Sequence, residues 1–164
     1  MIGIMLIYVG AVLLVNGMGG LGRIDAKSAA VLNFMVGSLG VVVSLLHLVR
    51  AESPVEYFTV ATLFLFTFTY LYVAISSWYG LDMRGFGWYC FFVALTAIPT
   101  SIVTFQKGDL RFGAFWLIWG ALWYAFYLSS AQGKDFGKNL PYATIFVGVT
   151  TCWIPGILIL TEYW

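Results

Sequence analysis

Three tryptophans, Trp116, Trp119 and Trp123, stand inside one apolar run, "FWLIWGALW" (115–123). An indole offers a flat apolar wall with a single N–H on its rim, so these residues are suited to meeting a solute and unsuited to breaking its bonds. The side chains that do break bonds are scarce. His47 is the only histidine, and Cys90 and Cys152 are the only cysteines, each inside an apolar run. Such cysteines read as small hydrophobes, with no disulfide framework or metal spacing. No HExxH, CxxC, glycine-rich phosphate loop or paired carboxylate occurs. General acid–base chemistry needs titratable groups in a defined geometry, so the chain is not expected to be an enzyme or to hold a metal or cofactor.

The elements that carry these residues are membrane spans. The 164 residues are 62% hydrophobic and only 9% charged, against about 25% charged in a soluble domain. Six apolar runs are long enough to cross a bilayer core: Ile2 to Gly19, Ser28 to Val49, Tyr57 to Trp78, Phe86 to Phe105, Phe112 to Ser130 and Tyr142 to Tyr163. The first lacks the basic flank of a signal peptide and reads as a retained span. All charged residues are assigned to linkers or termini. Loops one, three and five carry Arg23, Lys27, Arg84, Lys134 and Lys138; loops two and four carry Arg50, Lys107 and Arg111. The positive-inside bias then places the odd loops in the cytoplasm and both termini outside. The expectation is an all-α integral membrane protein, one six-span transmembrane domain over 1–164. The net charge of +1 gives no reason to expect nucleic acid.

The even spans echo one another: Phe34-Met35-Val36-Gly37, Phe91-Phe92-Val93-Ala94 and Ile145-Phe146-Val147-Gly148. This suggests a two-helix hairpin used three times, with the small residue allowing close helix packing. Within span five the three tryptophans fall in an arc of about 60°, and Trp119 and Trp123 lie only roughly 3 Å from the middle of the span. That is too deep for an interfacial belt. Gly120, Phe126 and Tyr127 lie on or beside the stripe. Span three adds Phe66 and Tyr70, with Thr62, Thr69 and Ser77 near the same face; span one adds Ile2, Leu6, Val9, Leu13 and Asn16. One reading is core packing. The other is a narrow pore for small, neutral, planar molecules, because an ion would find neither charged rings nor carbonyl cages. His47 reads as an interfacial residue. Asn16 and Asn33 read as helix-to-helix glue. Pro99 and Pro155 each remove a backbone hydrogen bond, and Thr96 and Thr151 are candidates to satisfy the freed carbonyls.

These residues resemble the urea channel and amide transporter (UreI/AmiS) family. The resemblance covers nearly the whole chain. It rests on "LIYVGAVLLVNG", "DAKSAAVLNFMVG", "FTYLYVAI", "GLDMRGFGWYCFFVALTAIP", "WLIWGALW" and "WIPG", in order and at the right spacing. It implies a hexameric ring in the bacterial cytoplasmic membrane. Each protomer would be a thrice-repeated hairpin around its own central pore, with both termini outward. The pore would pass urea or short aliphatic amides down their gradient to a cytoplasmic urease or amidase. The family's constrictions fall on Trp116, Trp119, Leu122 and Trp123, on Phe66 and Tyr70, and on Ile2, Leu6 and Leu13. The family's acid-gated relative carries a glutamate where this chain has Val147, and a long histidine-rich second loop where this chain has "RAESPVEY". Strong acid gating is therefore not expected. An amide-selective transporter, a non-transporting accessory protein and a proton-coupled carrier are the alternatives, the last disfavoured by the absence of charge within the spans.

Overall fold

The computed structural model describes all residues 1–164. It is wholly helical, with six segments long and apolar enough to cross a membrane. They are α1 (Ile2–Gly20), α2 (Ala26–Leu48), α3 (Pro54–Tyr79), α4 (Arg84–Gln106), α5 (Leu110–Ser130) and a composite sixth span. The sixth is α6 (Asn139–Val147), a π-helical segment (Gly148–Trp153) and α7 (Ile154–Leu160).

Helices α2, α3 and α5 start at a side-chain cap, two or three residues earlier than hydropathy alone places them. Asp25 accepts a hydrogen bond from the Ser28 N–H at 2.9 Å, and Asp109 from that of Phe112 at 3.0 Å. Ser53 and Glu56 form a reciprocal capping box with Pro54 in the first turn, which occupies two of the N–H groups that a helix start leaves without partners. Lys27, Glu56, Arg84 and Arg111 thus belong to first turns, not linkers. Gly80 closes α3 in the left-handed region at φ 63, where a Cβ would be strained. The sixth span ends at Leu160, short of Tyr163.

The chain divides into two compact units, Met1–Leu81 with Pro141–Trp164, and Asp82–Leu140. In the first unit α2 packs along α3, and α1 packs along the sixth span and against α2; in the second, α4 packs along α5. The three most extensive pairings are thus α2 with α3, α4 with α5, and the sixth span with α1.

The small residue of each echo lies in its pair's seam. A methyl placed on Gly37 would lie 3.1 Å from the Leu71 backbone N of α3, and one on Gly148 would lie 2.7 Å from Leu13 Cβ of α1. In the third pair the roles reverse: a methyl on Gly120 of α5 would lie 3.6 Å from the Ala94 carbonyl and 3.0 Å from Ala97 Cβ. Val36, Val93 and Val147 are all buried beside them. Close backbone approach of this kind is what holds helices together in lipid, where hydrophobic burial supplies little.

Helix α1 carries a second signature, glycine at 3, 10 and 17. A methyl on Gly10 would lie 2.9 Å from the Trp153 backbone N and 3.0 Å from the Gly148 carbonyl; one on Gly17 would lie 2.8 Å from the Pro141 carbonyl. Glycines seven apart keep one face of a helix nearly in register, so this face lies directly on the backbone of the sixth span.

Neither in-span proline is served as the sequence suggested. The Thr96 hydroxyl donates to the Phe92 carbonyl and the Thr151 hydroxyl to that of Val147. Each hydroxyl reaches its own i−4 carbonyl, whereas prolines 99 and 155 free the carbonyls four residues before themselves, at Leu95 and Thr151. In the sixth span the backbone itself changes register. The Ile154 N–H donates to the Val149 carbonyl, an i−5 bond, just before Pro155. A shift from i−4 to i−5 passes over one carbonyl, and the Thr150 and Thr151 hydroxyls cap those of Phe146 and Val147 at 2.8 and 2.7 Å.

Candidate solute pathway

Helix α5 has only four buried residues: Gly113, Trp119, Gly120 and Trp123. The glycines belong to the α4 seam. A methyl on Gly113 would collide with the Phe105 ring, and the Gly113 carbonyl accepts a hydrogen bond from the buried Ser101 hydroxyl at 2.7 Å. Gly120 therefore leaves room for the backbone of α4, not for a solute. The two tryptophans, each 6% exposed, lie beside this seam. Trp116 is half-buried and meets Trp119 edge-on, ring centroids 5.4 Å apart. Phe115 and Phe112 also flank Trp119, at 5.8 and 6.4 Å, so its indole is gripped by rings of its own helix. Leu122 is half-buried and sits about 60° beyond Trp119 at the edge of the stripe.

Phe126 and Tyr127 leave the tryptophan group. Phe126 meets Phe86 at 6.4 Å, and Tyr127 joins Trp88 and Phe91 of α4 at 5.1 and 4.7 Å. The Tyr127 hydroxyl accepts a hydrogen bond from Gln132. These rings fasten the hairpin at one end.

In the other unit, Leu6 and Leu13 are 5% and 8% exposed. At about 100° per residue they fall between two occupied directions of α1. The glycine face meets the sixth span, and Met5 reaches Gly40 of α2, its Cε 3.2 Å from a methyl placed there. Leu13 borders the seam with the sixth span, its Cβ against Gly148, Leu6 lies between the two directions, and Val9 shares that face. Ile2 stands in the first turn of α1 and is 41% exposed. Tyr70 of α3 is 4% exposed. It lies about 100° round the helix from Leu71, which packs on Gly37; Phe66, a turn earlier, is half-buried. Thr62 and Thr69 are buried, but their hydroxyls donate to the Thr59 and Leu65 carbonyls of the same helix, so they offer a passing molecule only acceptor capacity. Ser77 is half-buried.

The asparagines pair with each other. Asn16 Nδ2 donates to Asn33 Oδ1 at 3.0 Å, and Asn33 Nδ2 returns a bond to Asn16 Oδ1 at 2.6 Å. This joins α1 to α2 as the glue reading expects. His47 lies half-buried in the last turn of α2, its Nε2 shielded and without a hydrogen-bond partner. No group of three or more histidine, cysteine, aspartate or glutamate side chains could hold a metal.

The nine candidate residues are apolar or aromatic, with no ionisable group among them but the Tyr70 phenol. Sequence reasoning missed the glycine heptad of α1, which aligns the Leu6–Leu13 face, and the Ser101 bond, which sets the register of α5. The first was visible as the spacing of glycines 3, 10 and 17; the second had no sequence signal.

Comparison with known proteins shows the family. The AmiS/UreI family transporter model matches residues 1–163. The chain is 34% identical to the acid-activated urea channel of Helicobacter pylori, all of both chains being covered. It is 42% identical to a candidate transporter, AmiS2, of Rhodococcus erythropolis, over 95% of this chain and 77% of that one. Among solved structures it matches the crystal structure of the urea channel from Helicobacter pylori with a TM-score of 0.91 and 36% identity, covering 100% of this chain and 99% of the other. The chain is a multi-pass membrane protein of the AmiS/UreI family of transporters, and it is not an enzyme.

Proposed function

We propose that this protein is a passive channel for urea and short aliphatic amides in the cytoplasmic membrane, a single channel domain over residues 1–164. The observation that carries the reading is the burial of Trp119 and Trp123 on a helix that buries nothing else but two glycines. Their rings, with Trp116, Leu122, Phe66, Tyr70, Ile2, Leu6 and Leu13, would line the path. Apolar walls exclude ions, which need charge or carbonyl cages to replace their water. A planar neutral solute slides between flat rings, exchanging hydrogen bonds with the few polar rims. The assembly is read as a homo-hexamer with one pore in each protomer and both termini outside, supplying a cytoplasmic urease or amidase.

The test is stopped-flow light scattering of vesicles holding the purified protein. Reswelling with urea or acetamide should exceed that of empty vesicles by at least about tenfold. Equal rates in full and empty vesicles would refute the reading. A second reading, selectivity for amides over urea, is favoured by the higher identity to AmiS2 than to the urea channel. Acetamide outpacing urea severalfold in the same vesicles would select it.

A further inference from the structure

Amide pairs are self-complementary: each carboxamide gives one N–H and accepts one. In the Asn16–Asn33 pair the two members are not equivalent. Asn33 is fully buried, and its second N–H donates to the Ala29 carbonyl at 2.9 Å. Both of its donors are thereby used, which fixes its amide plane and dictates which end of Asn16 is nitrogen and which is oxygen. Asn16 is only half-buried, and its pairing leaves it one N–H and one acceptor lone pair with no protein partner. On α1 it follows Leu13 by one turn, at the α2 edge of the face that carries Leu6, Leu13 and Val9. A planar solute with N–H and C=O groups can meet Asn16 as donor or acceptor, as the second amide in line behind Asn33.

We propose that Asn16 is a specificity-determining residue for solutes of the primary-amide class, with Asn33 as its positioning residue. The inference rests on the channel reading above and adds to it a polar reader on an otherwise apolar stripe. A solute lacking N–H groups loses the bond to the Asn16 oxygen, while urea and primary amides keep both options. A neutral hydrogen bond changes an equilibrium by about fivefold, so the effect belongs in selectivity more than in the existence of flux.

The experiment compares urea with N,N-dimethylformamide, a small planar carbonyl solute without N–H groups, in vesicles of the wild type, Asn16→Leu, and the double variant Asn16→Leu with Asn33→Leu. Replacing both partners of a buried polar pair by apolar groups of similar shape is close to neutral for folding, so the double variant retains the bundle while removing the amides. The expected result is a fall in the urea to dimethylformamide permeability ratio of about fivefold in both variants, driven by urea. An unchanged ratio in the double variant, with urea flux still above empty vesicles, would reduce the pair to glue and overturn the proposal. Wild-type vesicles no faster than empty ones would instead refute the channel reading itself.

Discussion

Trp119 and Trp123 are the side chains on which the account turns. Each is almost wholly buried, and each neighbours Gly120, which lies against Ala97 of α4. Truncating a large core aromatic costs about 3–5 kcal/mol in soluble proteins, so Trp119→Ala and Trp123→Ala lower thermal stability whatever their role. The discriminating quantity is transport. Each variant is expected to change urea permeability by at least about threefold and to admit larger amides, as measured on vesicles matched for protein content. Unchanged flux and selectivity in both would return the tryptophans to packing. Residue type and depth made these positions legible in the sequence. What the sequence did not separate was Gly120 from a solute cavity, because only the observed register puts Ala97 against it.

Helix pairs are held by backbone proximity, and glycine is its measure. A methyl at Gly10 meets the backbone of Trp153, whereas one at Gly19 meets nothing closer than 3.6 Å. Gly10→Ala is therefore expected to destabilise the protein by about 1–3 kcal/mol, as overpacking does, while Gly19→Ala is neutral or stabilising through reduced chain entropy. Thermal unfolding of the two variants in detergent checks the contrast; equal melting temperatures would contradict the tight seam. Most of this level could be read in advance. Runs of about twenty apolar residues dictate spans, and Asp25, Ser53 and Asp109 mark their starts. The π segment before Pro155 could not: no residue type prescribes an i−5 turn, and the threonine expected to serve that proline, Thr151, serves the carbonyl of Val147 instead.

At the scale of the whole molecule, charge is confined to helix ends and linkers. Asp82, in the turn before α4, accepts hydrogen bonds from the Arg84 side chain and from its N–H, and these hold its carboxyl below the usual carboxylate range. A lowered folded value means that the interaction is complete above the ordinary carboxylate pKa of about 4 and is lost only as pH falls through the lower value. The turn is therefore unchanged between pH 5 and 7.5. With a single histidine in the chain and none in the second linker, urea permeability is expected to vary by less than about twofold across that interval. A tenfold rise on acidification would reveal a gate absent from this account. The alignment with the acid-activated urea channel runs over 195 positions against 164 residues here, so that relative carries residues without counterpart in this chain.

The central claim, passive conduction of a neutral solute, is tested most directly by entry of radiolabelled urea into vesicles with and without an imposed proton gradient. Urea is expected to enter faster than into empty vesicles, to stop at the external concentration, and to do so at the same rate after an uncoupler is added. Accumulation above the external concentration, abolished by the uncoupler, would contradict it.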